Sequence, residues 1–477
     1  MLATRERGNV TGHITRLAPM MDLERLAAAL GAVEVVEPAS VEVLDLVYDA
    51  RHARPGAVFF CVPGAHADGH EFAPQAVENG AVALVVERPL AVSVPQIVVP
   101  DARAAMAVGA DEFFGRPTED LQVAGVTGTS GKTTTSFLLY AILAAAGRRP
   151  GLLGTVEARV GGERRGVERT TPEAIDLQRT FREMLDAGDR SCAMEASSHA
   201  SELHRLDRVR FAVLVFTNLS QDHLDFHGDM ETYFEAKRRL FADGVPAVVN
   251  VGDEYGRRLA AGIPDAVTFS IDDADALAGI DVKLRGGFNV ENALGALFAA
   301  RQLGIEDEAI ARGIESVRGV PGRFETVDEG QPFTVIVDYA HKPDALEKVL
   351  RAARDLTRSR VLCVVGAGGD RDRGKRPLMG RIASDLADVV IVTSDNPRSE
   401  DPQAIIDEIV AGAAGDVEVE ADRAAAIARA IELAQDGDVV LIAGKGAEQG
   451  QQFADRTIPF DDRVAARDAL RALGART

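Results

Sequence analysis

Cysteine is scarce in this sequence. Its three cysteines, Cys61, Cys192 and Cys363, lie singly inside apolar runs such as VFFCV and VLCVV. Isolated cysteines in apolar surroundings favour reduced, buried thiols over disulfide or metal-binding roles. We therefore expect a cytoplasmic protein whose fold does not depend on disulfides.

A long uninterrupted apolar run is also absent. The most apolar stretch, AVALVVERPLAVSVPQIVV, is broken by Glu87, Arg88 and two prolines, which predicts a pair of strands rather than a membrane span. The first 20 residues lack the apolar core of a signal peptide, and we expect them to form a loose extension. The sequence therefore predicts no membrane span.

Basic residues are outnumbered by acidic ones. Lys and Arg total 53 against 74 for Asp and Glu, giving a net charge of −21. This balance argues against nucleic acid as a general partner. An anionic ligand would need a local basic site.

Short runs rich in Val, Ile and Leu alternate with alanine-rich helical patterns along most of the 477 residues. This alternation predicts an α/β fold with largely parallel sheets. Many of these runs end in Gly, Asp, Asn or Thr, and ligands gather at the carboxyl ends of parallel strands. Polar, proline-containing connectors at 113–122 and 319–333 predict three domains: 1–115, 116–322 and 323–477.

The stretch VTGTSGKTTT, Val126 to Thr135, has the composition of a phosphate-binding loop. An apolar strand pattern precedes it and a helical pattern follows it, so backbone N–H groups at the helix N-terminus could face an anion. The usual spacing would place a glycine at Val126. The loop is therefore either a tighter phosphate loop, with Lys132 and Thr133 as ligands of phosphate and Mg²⁺, or a structural glycine turn.

Three segments behind this loop carry ionisable residues at predicted strand ends. AMEASSHA places Glu195 after one strand, and VFTNLSQDHLDFHG places Asp222 and His223 after another, followed by a helix that bears Lys237. Each residue alone also has an ordinary structural explanation. Together with the loop they favour Mg²⁺ ligands beside ATP phosphates, where oxygen ligands dominate and histidine is a minority choice.

A set of ordered motifs resembles the Mur ligases, three-domain bacterial enzymes that add an amino acid to the peptidoglycan precursor. The motifs are TGTSGKTTT, MEASSHA, TNLSQDHLDFHG, YFEAKRRLF, GGFNVENALGA, GVPGRFE, VDYAHKPDAL, GAGGDRDRGKRP and SDNPRSEDP. The resemblance covers nearly the whole chain after about Met20. It implies a smaller N-terminal α/β domain that binds a UDP-sugar, a central P-loop ATPase-like domain and a C-terminal Rossmann-like domain that binds the amino acid.

The resemblance implies ATP-dependent amide formation through an acyl phosphate, with ATP and Mg²⁺ as cofactors. It also implies a monomer whose binding partners are small molecules. The family's loop has the short form, so Val126 belongs to the strand, and Ser130 stands where an asparagine is usual. Lys237 matches a lysine carbamylated by CO₂. The residues implied for ATP are Gly128, Thr129, Ser130, Gly131, Lys132, Thr133, Thr134, Asn289, Asn292, Arg323, Asp338 and His341. Those implied for catalysis or the metal are Lys132, Thr133, Glu195, His223 and Lys237.

The resemblance also implies two substrate sites. The residues implied for the UDP-sugar peptide are Arg51, Ala65, His66, Ala67, Thr170, Thr171, Ser197 and Arg205. The residues implied for the incoming amino acid are Arg371, Asp395, Asn396, Pro397, Arg398, Gly444 and Glu448. The form DNPR is associated with meso-diaminopimelate rather than L-lysine, because an arginine can grip a second carboxylate.

The sequence departs from the family pattern at several places. The segment before Gly287 is shorter than expected, Ala447 replaces a histidine, Lys342 replaces a threonine and Ala50 replaces a serine. Three hypotheses therefore stand beside a meso-diaminopimelate ligase. They are a ligase for L-lysine, a relative that acts on another acid such as a folate, and a nucleotide-binding paralogue without catalysis.

Overall fold

The computed structural model describes residues 20–64, 67–242 and 244–474. Contacts along the chain divide it into two units. The first unit comprises residues up to Pro117 together with Glu173–Arg182 and Leu203–Arg208, and the second comprises Thr118–Pro172, Glu183–Glu202 and the chain from Val209 onward. The α/β fold class is confirmed, while the boundaries at residues 115 and 322 stay predictions.

The first unit contains a five-stranded sheet of order β2-β7-β6-β5-β4, in which only the β2–β7 pair is antiparallel. Its elements are β1 (Met21–Asp22), α1 (Leu23–Ala29), β2 (Glu34–Val36), β3 (Glu42–Val43), β4 (Asp45–Val47), β5 (Ala57–Phe60), α2 (Ala73–Glu78), β6 (Ala83–Val86), β7 (Gln96–Val98) and α3 (Ala102–Phe113). Apolar residues are buried on both faces of the sheet, so the strands are continuous apolar runs. The two predicted strands of the most apolar stretch are β6 and β7.

The second unit begins with an eight-stranded sheet of order β11-β10-β9-β12-β8-β13-β14-β15. Its strands are β8 (Gln122–Thr127), β9 (Pro150–Leu153), β10 (Ala158–Val160), β11 (Glu163–Arg165), β12 (Ser191–Glu195), β13 (Phe211–Phe216), β14 (Ala247–Asn250) and β15 (Val267–Phe269). Its helices are α4 (Lys132–Ala145), α5 (Ala174–Ala187, whose first part belongs to the first unit), α6 (Ser198–Glu202), α7 (Leu224–His227), α8 (Met230–Arg238), α9 (Glu254–Ala261), α10 (Gly287–Gln302) and α11 (Asp307–Ser316). Six strands are parallel, and β10 and the exposed edge strand β11 are antiparallel.

The second unit ends with a six-stranded sheet of order β16-β17-β21-β18-β19-β20, parallel except for β16. Its strands, with a separate antiparallel pair β22–β23, are β16 (Glu325–Val327), β17 (Thr334–Asp338), β18 (Val361–Val365), β19 (Val389–Val392), β20 (Glu418–Val419), β21 (Val439–Ala443), β22 (Gly450–Gln452) and β23 (Thr457–Pro459). Its helices are α12 (Pro343–Asp355), α13 (Lys375–Leu386), α14 (Pro402–Val410), α15 (Arg423–Leu433) and α16 (Asp462–Gly474). Helices pack on both faces, as expected for a Rossmann-like sheet.

The shortened segment before Gly287 has its own packing. A 3₁₀ helix covers Ile271–Leu277, and the chain then reaches α10 without a further strand among these described residues. Leu277 and Leu284 are buried in the core of the eight-stranded sheet, and the Lys283 ammonium donates to the Glu315 carbonyl at 2.7 Å. The short connection is therefore anchored at both ends.

The three cysteines are free and buried, as predicted, and burial raises the pKa of the Cys61 and Cys363 thiols to about 12. Across the described residues, every helix is too short or too polar to cross a membrane.

Candidate functional site

The glycine-rich segment after β8 forms a tight loop that ends at the N-terminus of α4. Val126 is fully buried in β8, as predicted. Gly128 and Gly131 have φ values of 143° and 87°, and a Cβ on either would lie within 2.3 Å of the side chain of Thr217 or Asn292. Both positions therefore require glycine.

Ser130 stands where an asparagine is usual in the family, and the turn of the loop is kept. Its backbone N–H donates to Asn218 Oδ1 at 3.0 Å, and its carbonyl accepts from Asn218 Nδ2 and from Thr217 Oγ1. Because the loop is held through the Ser130 backbone, a small side chain is tolerated there.

Lys132 opens α4 and lies over the loop. Its ammonium donates to the Gly128 and Thr129 carbonyls at 2.9 and 3.0 Å. Burial lowers the pKa of Lys132 to about 8, and the nearby Lys342 and Arg323 act in the same direction while Glu195 and Asp222 oppose it. A half-buried ammonium at a helix N-terminus suits an anion.

Glu195 ends β12 and is 1% exposed. Its carboxylate accepts from the Thr133 hydroxyl at 2.9 Å and from the Thr155 N–H and hydroxyl at 2.7 and 3.1 Å. Arg323 donates to the same Thr133 hydroxyl at 3.1 Å. Thr133 thus links Arg323, from a distant part of the chain, to the predicted metal ligand Glu195. We call Gly128, Lys132, Thr133, Glu195 and Arg323 the phosphate site.

Lys237 on α8 reaches the same loop from the other side. Its amino group donates to the Gly128 carbonyl at 2.9 Å, lies 3.5 Å from Thr127 Oγ1 and lies 4.9 Å from the centre of the Tyr233 ring. The side chain is buried, and burial together with the Lys132 and Lys342 charges holds its pKa well below the usual range. The structure thus brings Lys237 to the phosphate site.

The Asp222 carboxylate that holds His223 also pairs with Lys342. His223 Nε2 and Lys342 Nζ lie 2.8 and 2.6 Å from the same oxygen, Asp222 Oδ2. Burial lowers the pKa of His223, so the ring is neutral near pH 7. Ser220, two residues before Asp222, also donates to the Asp344 carboxylate in α12. The segment after β13 is therefore fastened to the N-terminus of α12.

The remaining predicted ATP residues lie on α4, α10 and the end of β17. Thr134 is buried in the first turn of α4, and Asn292 donates to Asn289 at 3.0 Å on α10. Asp338 accepts from the Phe324 and Ala340 N–H groups, and burial raises its pKa to about 6. His341 is half-buried, and desolvation lowers its pKa to about 3, so its ring is neutral.

The residues predicted for the UDP-sugar peptide are distributed over both units. In the first unit Arg51 is exposed and pairs with Asp49, the Ala67 carbonyl accepts from Gly64, and Arg205 pairs with the buried Glu173 at 2.7 Å. In the second unit the Thr170 hydroxyl lies 3.0 Å from that of Thr155, and the Thr171 hydroxyl donates to the Glu195 carbonyl and lies 3.2 Å from Ser197 Oγ. Ala65 and His66 lie outside the described residues.

The loops after β19 and β21 bring most of the predicted amino-acid residues together. Asn396 Nδ2 donates to Glu448 Oε2 at 2.8 Å, and a Cβ on Gly444 would lie 2.6 Å from Asp395 Oδ2. Arg398 follows the buried Pro397 and donates to the Gly369 carbonyl at 2.7 Å. Arg371 is exposed in the loop after β18. We call Asp395, Asn396, Arg398, Gly444 and Glu448 the amino-acid site.

Three family models match the chain. They describe the Mur ligase family, catalytic domain (residues 45–114), the Mur ligase middle domain (126–282) and the Mur ligase, glutamate ligase domain (322–446). A UDP-N-acetylmuramoyl-L-alanyl-D-glutamate–2,6-diaminopimelate ligase of Geobacillus thermodenitrificans is 46% identical over 94% of this chain and 99% of its own length. The chain belongs to the Mur ligase family.

Further Mur ligases agree in length and fold. A protein of the same name from Streptomyces coelicolor is 46% identical over 94% of this chain and 96% of its own length. A solved structure of that name shares 31% identity and a TM-score of 0.65, covering 95% of this chain and 99% of the other. MurF ligase from Thermotoga maritima, crystallised with ADP, shares the fold at 21% identity and a TM-score of 0.61, covering 91% and 98% of the two chains.

Several side chains of this Mur ligase could not be assigned from the motifs alone. Thr155 anchors Glu195, Lys342 reaches Asp222, and Lys445 donates to Asn396 and Glu448. Lys445 carried the clearest signal, since a lysine between two glycines follows the buried strand β21. The Lys342 contact spans 120 positions of sequence, and no local pattern indicates it.

Proposed function

We propose that this Mur ligase uses ATP to join meso-2,6-diaminopimelate to UDP-N-acetylmuramoyl-L-alanyl-D-glutamate in peptidoglycan synthesis. The observation that carries the proposal is the meeting of Lys132, Thr133, Glu195 and Arg323 around one glycine loop. The relatives named for this reaction match over almost their whole length. We also propose that the protein works in the cytoplasm, because ATP and the UDP-linked precursor are cytoplasmic small molecules, and that it works as a monomer.

The donors of the phosphate site fit Mg²⁺. The Glu195 carboxylate and the Thr133 hydroxyl are hard oxygen ligands 2.9 Å apart, and His223 adds a neutral imidazole nearby. Within residues 20–64, 67–242 and 244–474, no group of three or more His, Cys, Asp or Glu side chains could hold a metal alone. This suits an ion whose other ligands are phosphate oxygens and water. When bound, Mg²⁺ would neutralise charge on the transferred phosphoryl group.

The reaction needs two anions to approach each other. A carboxylate oxygen of the UDP-linked peptide attacks the γ-phosphorus of ATP, the bond to the β-phosphate oxygen breaks, and ADP leaves. The amino nitrogen of the incoming amino acid then attacks the acyl carbon, phosphate leaves, and the nitrogen loses a proton. Lys132 and Arg323 supply positive charge along this path, which is the main way that proteins accelerate phosphoryl transfer.

Lys237 has the surroundings that carbamylation requires. Its lowered pKa favours the uncharged amine, whose lone pair can attack the carbon of CO₂ with loss of one proton to give an N-carboxylate. That anion would lie among the Lys132 and Lys342 charges that disfavour the ammonium form. We propose that the carbamate provides an oxygen ligand for Mg²⁺.

The proposed choice of amino acid depends on Arg398 and Glu448. An arginine can bind the second carboxylate of meso-diaminopimelate, and a carboxylate can bind its second ammonium. L-lysine carries only the ammonium at that end. The Arg398 guanidinium donates to Gly369, so its position is already defined by the loop after β18.

Phosphate release from ATP tests this function. The unaltered protein is supplied with UDP-N-acetylmuramoyl-L-alanyl-D-glutamate and Mg²⁺, and then with meso-diaminopimelate or L-lysine in separate reactions. We expect release with meso-diaminopimelate. Release with L-lysine alone would overturn the proposed specificity for meso-diaminopimelate. Release with neither amino acid would overturn the proposed enzyme function and favour a nucleotide-binding paralogue without catalysis.

A further inference from the structure

Lys445 lies directly after Gly444, where β21 ends, and its side chain is 0% exposed. Its ammonium donates to Asn396 Oδ1 at 2.8 Å and to Glu448 Oε2 at 2.9 Å. The Asp395 carboxylate lies 4.0 Å away. One buried cation therefore contacts or approaches three residues of the amino-acid site.

The three polar groups close a ring. Asn396 Nδ2 donates to the same Glu448 oxygen that accepts from Lys445, and Asn396 Oδ1 also accepts from the Gln452 N–H at 3.0 Å. Glu448 is 36% exposed, so its carboxylate is anchored through Oε2 while the side chain still reaches solvent. The ring fixes the direction in which Glu448 presents its charge.

Lysine is rare in this chain, with seven lysines against 46 arginines. Lys445 is buried although lysine is seldom fully buried without a partner. A compact ammonium can contact two oxygens from a narrow space, whereas a planar guanidinium needs a wider one. The position of Lys445 therefore suits the compact ammonium of lysine better than the guanidinium of arginine.

We propose that Lys445 is a positioning and specificity residue for the incoming amino acid, acting through Asn396 and Glu448. This proposal rests on the proposed function. Lys445 holds the Glu448 carboxylate for the distal ammonium of the substrate, and its charge offsets one of the two carboxylates, Asp395 and Glu448. Without Lys445 the amino-acid site becomes more negative by one charge, which disfavours a substrate end with a carboxylate and favours one with only an ammonium.

The test replaces Lys445 by Met, which has similar length and no charge. We expect the KM for meso-diaminopimelate to rise about tenfold, the loss of one charge-assisted interaction, with the KM for ATP changed less than about twofold. The ratio of kcat/KM for meso-diaminopimelate to that for L-lysine should fall about tenfold. Lys348→Met, at an exposed lysine, is the control and should leave all three values unchanged.

Two further variants separate positioning from general loss of structure. Lys445→Gln keeps an N–H donor without charge and should lower the same ratio, with a smaller rise in KM. In the double variant Lys445→Met with Glu448→Gln, the two effects should be less than additive, because Lys445 acts through Glu448.

The outcomes are distinct. An active unaltered protein whose Lys445 variants keep their substrate preference overturns this inference alone, as do strictly additive effects in the double variant. An equal rise in the KM for ATP and for the amino acid also overturns it, since that pattern marks a structural role. Release of phosphate with neither amino acid by the unaltered protein overturns the proposed function and this inference with it.

Discussion

Lys237 and Lys445 are two lysines of nearly equal burial, in the phosphate site and the amino-acid site, with opposite surroundings. Lys445 faces the Glu448 carboxylate at 2.9 Å. In the described part of the chain, the hydrogen-bond partners of Lys237 are neutral oxygens of Gly128 and Thr127, and the Lys132 and Lys342 charges lower its pKa. Burial penalises a charged group unless a partner compensates.

The difference separates two uses of one residue type. An ion-paired lysine is a fixed cation that arranges its neighbours. A buried lysine beside other cations is shifted toward the uncharged amine, and an uncharged amine is a nucleophile. The partners of the ammonium, rather than the depth of burial, decide which chemistry each lysine can perform.

The largest expected effect comes from Lys237→Met. If Lys237 carries the carbamate, this variant should fold and yet lose about 10³-fold in kcat, the magnitude typical for removing a group that stabilises developing charge. Carbon-13 NMR after addition of labelled bicarbonate should show a carbamate signal in the unaltered protein, and the signal should vanish in Lys237→Met.

Lys445→Met is the matched control for this loss, because it removes an equally buried lysine. Its carbamate signal should remain. A signal that persists in Lys237→Met, or a kcat that falls less than about tenfold, would contradict the assignment of Lys237.

Local patterns in the sequence predicted the parts of the structure that depend on neighbouring residues. The strand, glycine loop and helix at 122–145 and the polar ends of β12, β13, β17, β19 and β21 were all indicated by short runs, because burial between helices makes such strands continuously apolar. The antiparallel strands β10 and β11 were not predicted, since each is only three residues long and β11 is polar.

Side-chain pairings between distant segments were harder to predict. Thr133 with Arg323 and Asn396 with Glu448 join residues that the family motifs had already singled out. The partners of Lys342 and Lys445 depend on how loops from different strands approach each other, which is a tertiary property without a local signal. The positions where this chain departs from the family pattern, such as Lys342, are therefore informative only once the contacts are known.

A smaller effect is expected from Lys342→Met, which removes one of the cations near Lys237. The change should raise the pKa of Lys237 and leave less neutral amine at pH 7, and it also removes a charge that stabilises the carbamate. Both effects lower the fraction of Lys237 that is carbamylated. The bicarbonate concentration for half-maximal activity should rise about fivefold, as expected for one partly screened charge.

Lys348→Met, at an exposed lysine on helix α12, which begins directly after Lys342, controls for general electrostatic change. It should leave the bicarbonate requirement unchanged. An equal shift in both variants would show that the ion pair of Lys342 with Asp222 has no specific effect on Lys237.

The smallest effect is the pH dependence of ADP binding through Lys132. The pKa of this lysine is lowered to about 8, so the free protein loses the ammonium as pH rises through that value. If binding requires the ammonium, the Kd grows as one plus the ratio of neutral to charged lysine, which is about fourfold between pH 7 and pH 8.5. Calorimetric titration of ADP at several pH values measures it. Lys132→Arg keeps its charge throughout this range, so its Kd should stay level, and a parallel rise in that variant would assign the effect to another group.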